Sequence, residues 1–514
     1  MKRKLVVLTL LITARTVYAD DFAGHSFFTV RPQFRLVSPE KLTLYFPHDM
    51  EFADGGLESK IQVVAFGGMS TNSCQLNQYF LPSNKTSLNV QEYKTPDFTQ
   101  DGQSSKDIEA RNFNIVTQSA DQTFRSNIAF KPQQSTFGIG LSWVQNIWHD
   151  CNGVPRFWGE ISFPVQYVNN SMNLRETVLN DGGGVANVDG VPTTGLDGAP
   201  HVANMTEAFA QSSWLYGKVD NCADLSAWGV SDIEITFGYN VYLSESCDFN
   251  AYVGFVAPTG TKIDQKNAAY LWRPVIGNNH HWGVLFGAHT CFYLRDWGQH
   301  ALRLEFDAEG QYLFKNTQWR SFDLVQQGQW SRYLEVYQNV AAATAAAGDA
   351  SPLNLDAGTS GINLFTTCAQ VSPKFSANTN TAFIYNYCGL QVEGGFNFFV
   401  RQAEEISKCS WNSDVAIKDI DGTGLTNIAR SIKNNFTDSD IALANYNPLS
   451  LADLDLNSAA HPTMLSHTVF AAAGWNWDEL RTPVFIGVGG SYEFTTVNTA
   501  LDRWLIFGKV GISF

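Results

Sequence analysis

The strongest constraint on this chain is a hydrophobic repeat of two. In Asp232–Ser244, "DIEITFGYNVYLS", the odd positions are Ile233, Ile235, Phe237, Tyr239, Val241 and Leu243. The even positions are Asp232, Glu234, Thr236, Gly238, Asn240, Tyr242 and Ser244. "HALRLEFDAEGQYLF" repeats this with Leu302, Leu304, Phe306, Ala308, Tyr312 and Phe314 on one face. Arg303, Glu305, Asp307, Glu309 and Gln311 occupy the other. Side chains of a strand alternate between two faces, so each segment predicts a strand with one apolar face. A soluble sandwich would bury that face in a core, so alternation alone does not choose the fold.

Connection lengths choose it. Read backward from Phe514, the pattern predicts about twelve strands: 504–514, 483–495, 464–477, 382–401, 362–375, 301–314, 282–294, 249–257, 232–244, 157–168, 135–148 and 60–68. "DELRT", "SANTN", "RDWGQ", "SESCD" and "HDCNGVP" read as short turns. Between them lie long connections rich in Gly, Asn and Ser, roughly 69–134, 169–231, 258–281, 315–361 and 402–462. Short turns on one side and long loops on the other are the habit of outer-membrane barrels. The expectation is an all-β chain forming a closed antiparallel transmembrane barrel of about 12 strands (12–14).

Composition agrees. Charged residues make up 16% of the chain, against about 25% for soluble domains. No run of 18 apolar residues offers a spanning helix. "MKRK", then "LVVLTLLITA", then "VYA" reads as an export signal cleaved near Ala19, which makes 1–19 a signal peptide. Cleavage removes Lys2, Arg3, Lys4 and Arg15 and no acid, so the net charge of −15 becomes −15 − 4 = −19. That disfavours nucleic acid and anionic membrane surfaces as partners, and no nucleic-acid partner is expected. Residues 20–59 fit no strand cleanly. They suit a periplasmic, plug-like segment or an extra hairpin, and 60–514 is then the barrel.

The last strand resembles the C-terminal signature of Gram-negative outer-membrane β-barrel proteins. Trp504, Ile506, Val510, Ile512 and Phe514 alternate outward, with Gly508 as the gap. The resemblance implies recognition by the barrel-assembly machinery, residence in outer-membrane lipid, and a bacterial outer-membrane location. It names no substrate.

Parity assigns Glu160, Asp232, Glu234, Arg303, Glu305, Asp307, Glu309, Glu393, Glu493 and Lys509 to the lumen, with Lys374 beside them. Acids outnumber bases. This suits a porin- or channel-like protein passing small cations or polar solutes. The same charges could instead pair and fill the barrel. In the competing function, a surface-exposed structural or adhesin-like barrel, the long loops do the work. Trp143, Trp148, Trp282, Trp297, Trp475, Trp477 and Trp504 fit interfacial girdles.

Eight cysteines, Cys74, Cys151, Cys222, Cys247, Cys291, Cys368, Cys388 and Cys409, form no CxxC pair, so no structural metal is expected. Cys368 and Cys388 flank "SANTN" evenly but fall on opposite faces, which argues against a bridge. The Gly/Asp loops at 181–198 and 419–424 lack the ligand spacing of a calcium loop. No enzyme is expected: GxSxG is absent, and His467 faces outward without a serine beside it. No cofactor is implied.

Overall fold

The alternation becomes a wall with two opposite surfaces. On His300–Leu313, Glu305, Asp307, Glu309 and Gln311 are buried inside, while Phe306 and Tyr312 stand outside, about two-fifths exposed. Large apolar side chains exposed along every strand are unfavourable in water but not in lipid. The computed structural model describes residues 23–32, 58–92, 107–118, 122–151, 153–219, 225–325, 327–336, 358–409, 411, 416–419, 445–477 and 479–514. The expected signal peptide lies outside them.

Twelve strands close the wall. They are β1 (Ser59–Ser70), β2 (Gln133–His149), β3 (Pro155–Ser171), β4 (Ile233–Leu243), β5 (Cys247–Ala257) and β6 (Gly283–Trp297). The rest are β7 (His300–Leu313), β8 (Lys374–Tyr387), β9 (Leu390–Arg401), β10 (Met464–Trp477), β11 (Val484–Phe494) and β12 (Arg503–Ser513). Each pairs antiparallel with its sequence neighbour, and β12 pairs with β1. Phe514 and Ser59 exchange backbone hydrogen bonds of 2.9 and 2.8 Å at that seam. No strand edge of the barrel is left to face lipid. Trp504, Ile506, Val510, Ile512 and Phe514 all point outward, as do the seven tryptophans assigned to the girdles.

Two predicted strands are wrong: 382–401 is not one strand but the end of β8 and all of β9. Residues 362–375 do not cross the barrel. Gly361–Phe365 is a short helix, and Thr366–Ser372 is a strand of a separate sheet. "SANTN" is not a turn but the middle of β8, with Ser376, Asn378 and Asn380 facing inward. The turn sits instead at Cys388–Gly389, both with positive φ. Lys374 therefore opens β8 at its rim, 38% exposed and 2.8 Å from Glu405, rather than lining the interior. Cys74, Cys151, Cys247, Cys368 and Cys388 carry free thiols, so no bridge joins 368 to 388.

β4 has a forerunner, Leu225–Val230, which continues its pairing with β3. The two pieces break at Ser231–Asp232 for a local reason. Ser231 donates to the carbonyl of Pro164, at 2.8 Å, but proline has no N–H to return the bond. The Ser231 carbonyl instead accepts from the Thr259 hydroxyl.

Inside the wall, rings lie over glycines of the next strand. A Cβ on Gly238 would come within 2.0 Å of the Trp158 ring. Gly238→Val should therefore expel Trp158 and destabilise the barrel by about 1–3 kcal/mol, the usual cost of overpacking. Near-ultraviolet dichroism and the melting temperature read this; an unchanged Trp signal would count against the packing described.

The long connections are not loose. Their described residues fold into a cap over one end of the barrel. One sheet joins Leu88–Gln91, Ile108–Glu109, Phe124–Ala129 and Arg175–Asp181, and another joins Asn316–Ser321, Thr366–Ser372 and Glu405–Cys409. Helix α1 (Ser73–Phe80) packs on a core containing Tyr79, Phe80, Phe113, Phe124, Phe209, Trp214, Trp330 and Tyr333.

Candidate functional site

The interior of the barrel is where chemistry can act, because its wall turns polar side chains inward by parity. Glu160, Glu234, Glu305, Asp307, Glu309, Glu393, Glu493 and Lys509 are all buried on the inward face. Arg303 lies half-buried near the short-turn end, its guanidinium 5.1 Å from the centre of the Tyr293 ring. Asp232 sits at the strand break rather than within a strand. Its carboxylate accepts from the backbone of Asn278 at 2.6 Å, from Asn278 Nδ2 at 2.9 Å and from the backbone of Gly260. Asp232 thus pins a cap connection to the wall.

Some inward charges are joined locally. Ser142 donates to Glu160 across β2 and β3. His289 and Asp307, neighbours on β6 and β7, are 2.8 Å apart.

Near the cap end, the interior holds the N-terminal segment 23–32, with Thr29 and Arg31 buried. Arg31 reaches Glu493 Oε1 on β11 and Asn378 Oδ1 on β8, both at 3.2 Å, and its guanidinium lies 4.7 Å from the centre of the Phe399 ring. Arg503 on β12 also pairs with Glu493 and donates to the Arg31 carbonyl at 3.4 Å. Ser466 on β10 donates to the same carboxylate at 2.6 Å. One acid, Glu493, therefore gathers two arginines, one of them from the segment.

The segment continues upward into the cap. The Thr29 carbonyl accepts from Arg401 on β9 at 3.4 Å, and its hydroxyl donates to Glu404 at 3.5 Å. Phe28 packs among Tyr79, Phe80, Trp272 and His461. The backbones of Gly24, His25 and Ser26 donate to Leu81, Tyr79 and Ser458. The described part of the N-terminal region is thus neither a hairpin nor on the short-turn side; it is threaded through the cap into the interior.

Glu404 is the hub above. Arg320 donates to both of its oxygens, at 3.1 and 3.4 Å, and the His461 backbone donates at 2.9 Å. Burial would raise the Glu404 pKa, but Arg320, His461 and Arg401 outweigh it and hold it at about 2. Arg320 is steadied by Gln318 and the Ala459 carbonyl. His281 receives Gln318 at Nε2 and donates from Nδ1 to the Phe314 carbonyl. That is a neutral ring, and burial lowers its pKa to about 4.

Parity in the sequence marks the inward acids. It does not mark Arg31, Arg320, Arg503 or Glu404, whose partners lie far away in the chain. The only signal for Arg31 and Arg503 is that each is a cation at the edge of an apolar run. Among the described residues, no group of three or more His, Cys, Asp or Glu is placed to hold a metal ion.

No protein family matches the chain, and no curated protein does. Among solved structures, an outer membrane channel from Pseudomonas putida F1 aligns over 91% of this chain and all of its own, at 11% identity and a TM-score of 0.35. A FadL homologue from Pseudomonas aeruginosa aligns over 97% of each chain, at 9% identity and a TM-score of 0.28. The Pseudomonas putida toluene transporter TodX covers 96% of each, at 7% identity and a TM-score of 0.25. Likeness at this level transfers neither family nor substrate. By its own geometry the chain is a closed twelve-stranded β-barrel with a lipid-type exterior, a polar interior and a folded cap.

Proposed function

We propose that this protein is a bacterial outer-membrane channel for small solutes, held shut at rest by its own N-terminal segment. The observation that carries the proposal is the threading of residues 23–32 into a polar interior, where Arg31 is tied to β8, β11 and β12 through Asn378, Glu493 and Arg503. Polar side chains inside a barrel of this size suit water and polar solutes. The excess of inward acids favours cations. Short turns then face the periplasm and the cap faces outward. The outward aromatic series ending at Phe514 suits recognition by the barrel-assembly machinery.

The test uses the mature chain from Asp20, refolded in detergent, against the same chain lacking residues 20–32. In planar bilayers the intact chain should give rare steps. The shortened chain should open at least about tenfold more often, the effect of roughly 1.4 kcal/mol of latch energy. A salt gradient should show cation preference. Folded barrels of both kinds that never conduct would sink the channel, and anion preference would sink the acidic lumen.

A second function has an observation of its own. The cap buries a continuous aromatic core and exposes Val178, Leu179, Val188 and Val191, as a display or adhesin-like surface would. Silent bilayers together with surface binding by intact cells would favour it.

A further inference from the structure

One inward cluster on β3 to β7 has no part in the latch. Glu160, Glu234, Asp307 and Glu309 are each no more than 5% exposed. Two rings lie among them. Trp158 is laid over Gly238 and Tyr252 over Gly287, with ring centres 6.3 Å apart. The strand register brings acids to these rings: Gly287, under Tyr252, pairs with Glu309, Asp307 lies two positions before Glu309 on the same inward face, and Glu160 lies two positions beyond Trp158.

Several polar atoms there have no hydrogen-bond partner. They are the Tyr252 hydroxyl, Asp307 Oδ1, and both Oε1 and Nε2 of Gln311, two positions beyond Glu309 on the same face. Tyr252 is 3% exposed and Gln311 is fully buried. Buried polar atoms are seldom left unmade, so such a group at one place calls for a ligand. Every one of these atoms except the Gln311 Nε2 can accept a hydrogen bond, the local charge is negative, and two aromatic faces are at hand. A divalent cation is not the natural occupant, since no set of ligands is placed to hold one among the described residues. The chemistry asks for N–H donors on a compact positive group.

We propose that this cluster is a binding site for small organic cations bearing a primary ammonium or guanidinium group. The proposal rests on the channel function above and names its substrate class. The ammonium would sit over the Trp158 and Tyr252 rings and donate to Tyr252, Gln311 Oε1 and Asp307.

Calorimetry on the full mature chain in detergent, with agmatine as the probe, tests it without any conductance. Agmatine should bind, choline should bind more weakly because it has no N–H, and propionate should give no heat. Tyr252→Phe and Gln311→Leu should each weaken agmatine by about tenfold, the loss of one hydrogen bond to a charged group. Glu479→Gln, on the exposed turn between β10 and β11, should bind like wild type. Tyr252→Phe keeps the ring and its packing, and heat-modifiable migration certifies each variant as folded. No agmatine heat from the folded wild type, or equal binding by both variants, overturns the site. A barrel that binds agmatine but never conducts keeps the site and loses the channel; one that conducts without binding does the reverse.

Discussion

Glu404→Leu should release the cap and the N-terminal segment while the barrel stays closed. Arg320, fully buried, gives two hydrogen bonds to this carboxylate, and His461 and Thr29 give one each. Leucine fills much of the volume but leaves a buried guanidinium without its counter-charge. Breaking one side of a buried pair typically costs about 3–5 kcal/mol. That is a large share of a domain's stability. The barrel wall holds itself by antiparallel ladders that run from β1 round to β12 and close on β1, so the loss falls on the cap. Limited proteolysis should cut the cap many times faster, while the barrel remains heat-modifiable in gels. Arg320→Leu with Glu404→Leu removes both charges, and such apolar replacement of a pair is often near neutral. The double variant should regain most of the protection. If the single variant resists protease like wild type, Glu404 is not the hub.

The barrel was legible because its two signals are local: alternation along each strand, and the length of each connection. The seam at Phe514 followed from the same facts. The failure at 362–375 shows where local signals stop. Ile362 and Phe365 are apolar because they enter the cap cores, not because they face lipid. Asn378 and Asn380 look like turn residues because the inner face of β8 is polar; Asn378 accepts from both Arg31 and Asn397. The true turn at Cys388–Gly389 hides one of its two positive-φ residues behind a cysteine. A bulge between Asn240 and Tyr242 likewise throws Tyr242 outward against strict parity. The cap was illegible for a different reason. Its aromatics are scattered through polar connections and meet only across the fold: Phe113 touches Phe209, Trp214, Trp330 and Tyr333. Arg31 and Glu493 are 462 residues apart. Nothing in a window of sequence couples them.

Acid should loosen this cap, and the sign follows group by group. His281 is buried and neutral, with its pKa lowered by burial from 6.5 to about 4. Burial lowers His461 as well. As pH falls below about 6.5 an unfolded cap takes up these protons and the folded cap does not, so stability drops. Glu404 acts lower down. Its folded pKa near 2 against an ordinary 4.5 supplies stability that is complete above 4.5 and lost as pH falls toward 2. Each unit is worth roughly 1.4 kcal/mol, so Glu404 alone carries about 3 kcal/mol. Asp323 opposes them. Burial raises its pKa from 3.8 to about 6, although Arg332 pulls the other way. It therefore favours the folded cap as pH falls from 6 to 3.8, and nearly offsets His281 over that range. Asp232, which pins a cap connection, is likewise raised by burial to about 6 and acts in the same sense, so the net loss sets in where Glu404 joins below 4.5. Cap tryptophans, Trp214, Trp272 and Trp330 among them, are buried and should shift their fluorescence to the red between pH 5 and 3. Asp323→Asn removes the counterweight and should move the onset to higher pH. A cap signal equal at pH 7 and pH 3 would show that these buried groups exchange protons with solvent without opening the fold.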